Sequence, residues 1–107
     1  PLDVWLIRLG LRPGDSFYSC FRCCLQAAMA CGPDFALLKE VYIPAAQAGS
    51  VSVSAVDTSM RRALKILETR NTPLYRQMAE HFGREHPGKR MTSKALLERL
   101  AGLARGG

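Results

Sequence analysis

Apolar side chains recur every three or four positions along almost all of this 107-residue chain, and that period commits it to helices. Strict alternation survives only over Ser50-Val51-Ser52-Val53-Ser54, too short to seed a sheet. The pattern predicts an all-α fold: a compact bundle of about six helices, folded as one domain over residues 1–107. At 48% hydrophobic residues the chain can fill a core. Its apolar stretches fall well short of the roughly 18 to 20 residues a membrane span needs.

Punctuation divides the pattern. A short helix over residues 3–9 is closed by Gly10 and the Pro13-Gly14 pair. Residues 16–31 carry Phe17, Phe21, Cys24, Ala28 and Cys31 on one stripe, with Ser19, Arg22 and Gln26 facing away. After Gly32-Pro33, Asp34 is expected to cap a helix that buries Phe35, Leu38, Val41 and Tyr42. Pro44 suits the first position of a brief helix to Ala48, ended by Gly49. Residues 54–70 form the most regular helix, with Val56, Met60, Ala63, Leu64 and Leu67 on one side. Thr72-Pro73 caps another, to about Phe82 before Gly83. A basic loop, Arg84 to Met91, precedes a last helix that starts after Thr92 or Ser93 and buries Leu96, Leu97, Leu100 and Leu103.

Charge is distributed unequally over these helices. Residues 1–53 balance four basic against four acidic side chains, whereas residues 54–107 hold eleven basic against five acidic. The whole surplus of +6 therefore lies in the second half. A localised positive field favours a polyanionic partner, with double-stranded DNA first.

A short helix, a tight turn and a longer helix with a basic outer side have the form of a helix–turn–helix. Small residues at Ala45, Ala46 and Ala48 let the first helix approach the second, and Gly49 suits a sharp turn. The second helix would bury Val56, Met60 and Leu64 and offer its other side to a major groove. Ser54, Asp57, Thr58 and Arg61 are the candidate base-reading residues. Arginine grips guanine bidentately, the hydroxyls are versatile, and Asp57 either accepts from a cytosine amine or positions Arg61. Ser52, Arg62, Lys65, Lys89, Arg90 and Lys94 are the candidate phosphate contacts.

The segments LLKEVYIPAAQ (37–47), VDTSMRRALKILETRN (56–71), Phe82-Gly83 and KRMTSKALLERLA (89–101) carry a resemblance. With WLIRLGL near the start, they make the chain resemble the C-terminal DNA-binding effector domain of the sporulation-initiation response regulator family. The resemblance implies an all-helical domain of about six helices that binds DNA through a helix–turn–helix and self-associates on it. It also implies a two-component system, with a phosphate-accepting receiver upstream; a chain opening on Pro1 is then a C-terminal fragment of a longer response regulator. The family has arginine where this chain has Ala55 and Thr58, an acidic residue at Asp57 and an arginine at Arg61. The turn at Gly49–Ser52 is about one residue shorter than the family's.

Cys20, Cys23, Cys24 and Cys31 do not have the disposition of a zinc site. Cys24 and Cys31 would stand about 10 Å apart along one helix, too far to share an ion. Cysteines one helical turn apart also sit about 5 to 6 Å between Cβ atoms, unfavourable for a disulfide. Cys20, Cys24 and Cys31 are expected in the core and Cys23 at its margin, all reduced, which points to the cytoplasm. His81 and His86 flank Phe82-Gly83-Arg84-Glu85 without a metal-ligand spacing, and Trp5 suits core or docking. No residues form a nucleophile–base set and no glycine loop cradles a phosphate. The expectation is therefore no enzyme, no cofactor and no metal, but a transcription regulator domain. The alternatives are a protein-interaction or dimerisation module on the same scaffold and, with the cysteines as sole support, a thiol or metal sensor.

Overall fold

The computed structural model describes residues 1–106, whose regular structure is all helical, with no strand among the described residues. In order the helices are α1 (Leu2–Leu9), α2 (Tyr18–Cys31), a π-helical segment (Leu37–Tyr42), α3 (Ile43–Gly49), α4 (Val53–Arg70), α5 (Pro73–Glu85) and α6 (Ser93–Gly106). α2 is the centre, packed against α1, the π segment, α3, α4 and α6. Its buried residues, Tyr18, Phe21, Cys24, Leu25 and Ala28, keep to one broad stripe, as its sequence spacing predicts. They meet Leu6 and Leu9 of α1, Val56, Met60, Ala63 and Leu67 of α4, and Leu96, Leu97 and Leu100 of α6 in one continuous core. Leu64 and Leu103 are only partly buried at its edge. Trp5 packs against the same core with the Arg8 guanidinium 4.7 Å over its ring.

Caps explain where the two principal helices begin. Ser52 Oγ accepts from Ala55 N at 3.0 Å, so α4 starts one residue before the expected Ser54. Thr72 Oγ1 accepts from Tyr75 N at 3.3 Å and Pro73 takes the first position of α5. Gly83 does not end α5, which continues to Glu85. The burial of Leu74, Tyr75 and Met78 outweighs the roughly 1 kcal/mol that an interior glycine costs.

The segment before α3 departs furthest from expectation. Asp34 does not cap a helix: its φ is 57° and its carboxylate faces Lys94 Nζ at 3.6 Å. The next helix starts three residues later, with Glu40 Oε1 accepting from Ala36 N at 2.7 Å. It winds with i→i+5 bonds, including Ile43 N to Leu38 O. The wider turn directs Val41 and Tyr42 inward but leaves Leu38, expected in the core, 55% exposed.

The α3–α4 turn is a Schellman closure: Val51 N donates to Ala46 O at 3.0 Å and Ser50 N to Gln47 O at 3.3 Å. Its left-handed residue is Ser50, with φ 53° and ψ 43°, and not the expected Gly49, which completes α3. Ala45 and Ala46 are buried as expected and Ala48 is exposed. A Cβ at Gly49 would meet only Val51 Cγ2, at an ordinary 3.8 Å. Ser50→Gly and Gly49→Ala should therefore each raise stability, by about 0.5 to 1 kcal/mol. Urea denaturation of the two variants checks both.

Candidate nucleic-acid interface

The buried residues of α4, Val56, Met60, Ala63 and Leu67, recur every three or four positions and fix how the helix is rotated. At about 100° per residue, Ser54, Thr58, Arg61 and Lys65 then align along the opposite side. All four are exposed. Arg62, beside them, is exposed as well, and Asp57 lies half-exposed at the strip's flank. Asp57 Oδ2 holds Arg61 Nη2 at 3.0 Å, one turn apart on the helix. With the Arg61 side chain 77% exposed, such a pair contributes only about 0.3 to 0.5 kcal/mol, enough to bias a rotamer but not to hold it against a ligand. The Ser52 hydroxyl oxygen is occupied by its cap.

Across from this strip stands the loop between α5 and α6. Its Arg90 joins Arg61 and Lys65 in lining one shallow depression of about 300 Å³. Leu64, Tyr75 and Met91 form its apolar lining and Glu68 is the one carboxylate there. Burial, aided by Glu68, raises the Tyr75 phenol above its ordinary value, so it stays neutral. Three cations on two separate elements thus surround a hollow with an apolar lining, answered by Glu68 in the lining and by Asp57 beside Arg61. Lys89, next to Arg90, is exposed in the same loop.

Lys94 has a different environment. It stands 3.6 Å from Asp34 and 3.7 Å from Glu98, so part of its charge is answered within the chain. The depression itself was not legible in the sequence. Tyr75 lies in none of the segments quoted above, and nothing local indicates that Arg90 returns to Arg61 from 29 positions away.

What holds α4 in place is at its other end. Arg70 Nη1 donates to Gly10 O at 2.8 Å and to Asp15 Oδ2 at 2.7 Å, while Nη2 donates to Asp15 Oδ1 at 2.9 Å. Thr72 Oγ1 donates to Leu9 O at 2.6 Å. The α4–α5 junction therefore closes over the last carbonyls of α1. Gly10 permits this approach: its φ is 121°, and a Cβ there would meet Thr72 Cγ2 at 3.0 Å.

A second hollow, about 290 Å³ between α5 and α6, is bordered by His81, Glu85, His86 and Glu98. His81 Nε2 contacts Glu85 Oε1 at 3.1 Å and the His86 ring lies 4.6 Å from that of Phe82. No three His, Cys, Asp or Glu side chains among the described residues are disposed to hold a metal ion. All four cysteines are free, but only Cys24 is fully buried. Cys20 and Cys31, expected in the core, are only partly buried like Cys23: Cys20 and Cys23 line a cleft, and Cys31 is the last residue of α2. No helix among the described residues is long and apolar enough to cross a membrane. No family model, curated protein or solved structure matches the chain.

Proposed function

We propose that the chain is a sequence-specific DNA-binding module that regulates transcription, with α4 entering a major groove. The observation that carries this reading is the uncovered strip Ser54, Thr58, Arg61 and Lys65, backed by the wholly buried stripe Val56, Met60, Ala63 and Leu67. A rigid helix with one polar side free is what base-edge readout requires. Ser54, Asp57, Thr58 and Arg61 read bases. Arg62, Lys65, Lys89 and Arg90 approach phosphates and release counterions, with Ser52 and Lys94 at the margins. The resemblance to the sporulation-type effector domains supports the same reading. It adds an upstream receiver and self-association on DNA, and the four free thiols fit a reducing, cytoplasmic setting. Since Ala55 and Thr58 stand where that family has arginine, the preferred sequence differs from the family's.

Selection of bound duplexes from a random pool tests this. Recovery of one motif is expected, with affinity falling as salt rises at a log–log slope of roughly −3.6 to −4.5, for about four to five phosphates neutralised. Absence of binding to any duplex at low salt would overturn it. Leu38, Ile43 and Val51, exposed on the π segment, α3 and the turn, favour the second reading in that case: a protein-interaction module on the same scaffold.

A further inference from the structure

The depression between α4 and the α5–α6 loop holds one polar group that the chain itself does not satisfy, the Tyr75 hydroxyl. Tyr75 is the third residue of α5, and its backbone N–H donates to the Thr72 cap that fixes where this helix begins. Thr72 in turn donates to Leu9 O, so the first turn of α5 is tied to α1. The tyrosine belongs to the core cluster and is only 5% exposed. A tyrosine buried to that degree ordinarily pairs its hydroxyl. Here the hydroxyl has no hydrogen-bond partner among the described residues, yet none of their side-chain oxygens is both sealed from solvent and unpartnered. The phenol oxygen therefore reaches the surface, and the surface that Tyr75 borders is the depression rimmed by Arg61, Lys65 and Arg90. Of these cations Arg61 pairs with Asp57, whereas Lys65 and Arg90 pair with no carboxylate among the described residues.

We propose that Tyr75 is a phosphate-binding residue, its hydroxyl donating to one of the phosphodiester groups that Lys65 and Arg90 neutralise when a duplex lies over the depression. This role deepens the DNA reading of the preceding subsection and rests on it. A phosphodiester offers acceptor oxygens and negative charge but no donor, so a neutral phenol complements it. Burial, with Glu68 nearby, keeps the Tyr75 phenol protonated and therefore able to donate. Lysine and arginine heads ride on long flexible stems and set no fixed position. The Tyr75 ring is locked by packing, so its hydroxyl moves only with α5. A rigid contact of this kind fixes the register in which the α4 strip meets base edges, and Tyr75 is thus a positioning residue. Leu64 and Met91 beside it limit water around the bond, which strengthens it. Glu68 is the one lining carboxylate that opposes the anion.

The test compares wild type with Tyr75→Phe on a selected duplex, and on a series in which one phosphate at a time is replaced by an uncharged methylphosphonate. Because the hydroxyl has no partner in the free chain, Tyr75→Phe should leave the urea midpoint unchanged. Affinity should fall about tenfold, the scale of one lost hydrogen bond to a charged group. Base preference and salt slope should be retained, since no cation is removed. At one methylphosphonate position the two chains should bind within about twofold of each other, and that position locates the phosphate. Equal affinities for the unmodified duplex, or a gap that persists at every methylphosphonate position, would overturn the proposal. A parallel titration with inorganic phosphate, followed by the NMR signals of the Leu64 and Met91 methyl groups, separates the sources of the anion. Shifts in a wild-type chain that binds no duplex, and weaker shifts in Tyr75→Phe, would remove the DNA reading and leave Tyr75 in a site for free phosphate. Neither duplex binding nor shifts would overturn both.

Discussion

Arg70→Ala should destabilise the chain by about 3 kcal/mol at neutral pH, more than any other single polar truncation. The guanidinium makes three hydrogen bonds: two nitrogens bind both oxygens of Asp15 at 2.7 and 2.9 Å, and one also reaches Gly10 O at 2.8 Å. Only 20% of the Arg70 side chain and 12% of the Asp15 side chain remain exposed. Removing the arginine leaves a largely desolvated carboxylate with one remaining partner, the Arg12 backbone N–H at 2.8 Å. The hydrogen bonds from Arg70 hold the Asp15 carboxyl down to about 2, from an ordinary 3.8. A lowered carboxylate pKa stabilises the fold at every pH above the unfolded value, and that contribution fades as pH falls through the folded one. The shift corresponds to about 2 kcal/mol, present above pH 4 and lost between about pH 4 and 2. Urea denaturation of wild type and Arg70→Ala at pH 7 and at pH 2.5 should show the difference between them shrinking at the acid end. A deficit below about 0.5 kcal/mol at pH 7 would make the contact an ordinary surface pair. The variant should also weaken DNA binding, because the clamp fixes the C-terminal end of α4 against α1.

The helices that matter for this were legible wherever a local signal coincided with tertiary demand. In α4 the apolar period agrees with what the core requires, so the helix begins only one residue before the expected Ser54, at the cap that Ser52, read in the sequence only as a phosphate contact, supplies. Thr72-Pro73 is equally local, and the expected cap is present. Structure and expectation part where other contacts, near or far in sequence, outweigh a residue's own preference. Asp34 has the chemistry of a cap, but Glu40 supplies Ala36 with its acceptor and the Asp34 carboxylate stays exposed, 3.6 Å from Lys94. Leu38 fits a 3.6-residue stripe that the π turn does not follow. Gly49 has the conformational freedom a sharp turn calls for, yet the Schellman bonds place the left-handed residue at Ser50. The Arg70–Asp15 pair spans 55 positions and no periodicity announces it. The candidate interface divides in the same way: the strip on α4 is a property of one helix and could be read, but the approach of Arg90 depends on how a loop returns.

That division makes the three cations of the depression separable by experiment. Arg61→Ala should weaken binding to a selected duplex by about 10- to 100-fold and relax preference at one base pair, since a bidentate guanine contact is worth about 1 to 3 kcal/mol. Part of that weakening comes from Asp57, whose carboxylate now sits 3.0 Å from the Arg61 guanidinium and would be left unanswered beside the duplex. Asp57→Asn should accordingly restore some affinity to the Arg61→Ala chain without restoring base preference. Lys65→Ala and Arg90→Ala should weaken every duplex alike and each reduce the salt slope by about 0.9, as expected when one phosphate is no longer neutralised by the protein. Titrations of selected and scrambled duplexes at three salt concentrations distinguish the outcomes. If all three variants changed the salt slope and none changed base preference, the depression would be a backbone clamp, and discrimination would have to come from Ser54, Asp57 and Thr58. If Arg90→Ala left both quantities unchanged, the α5–α6 loop would not reach the duplex, and α4 would approach it tilted toward its own N-terminus.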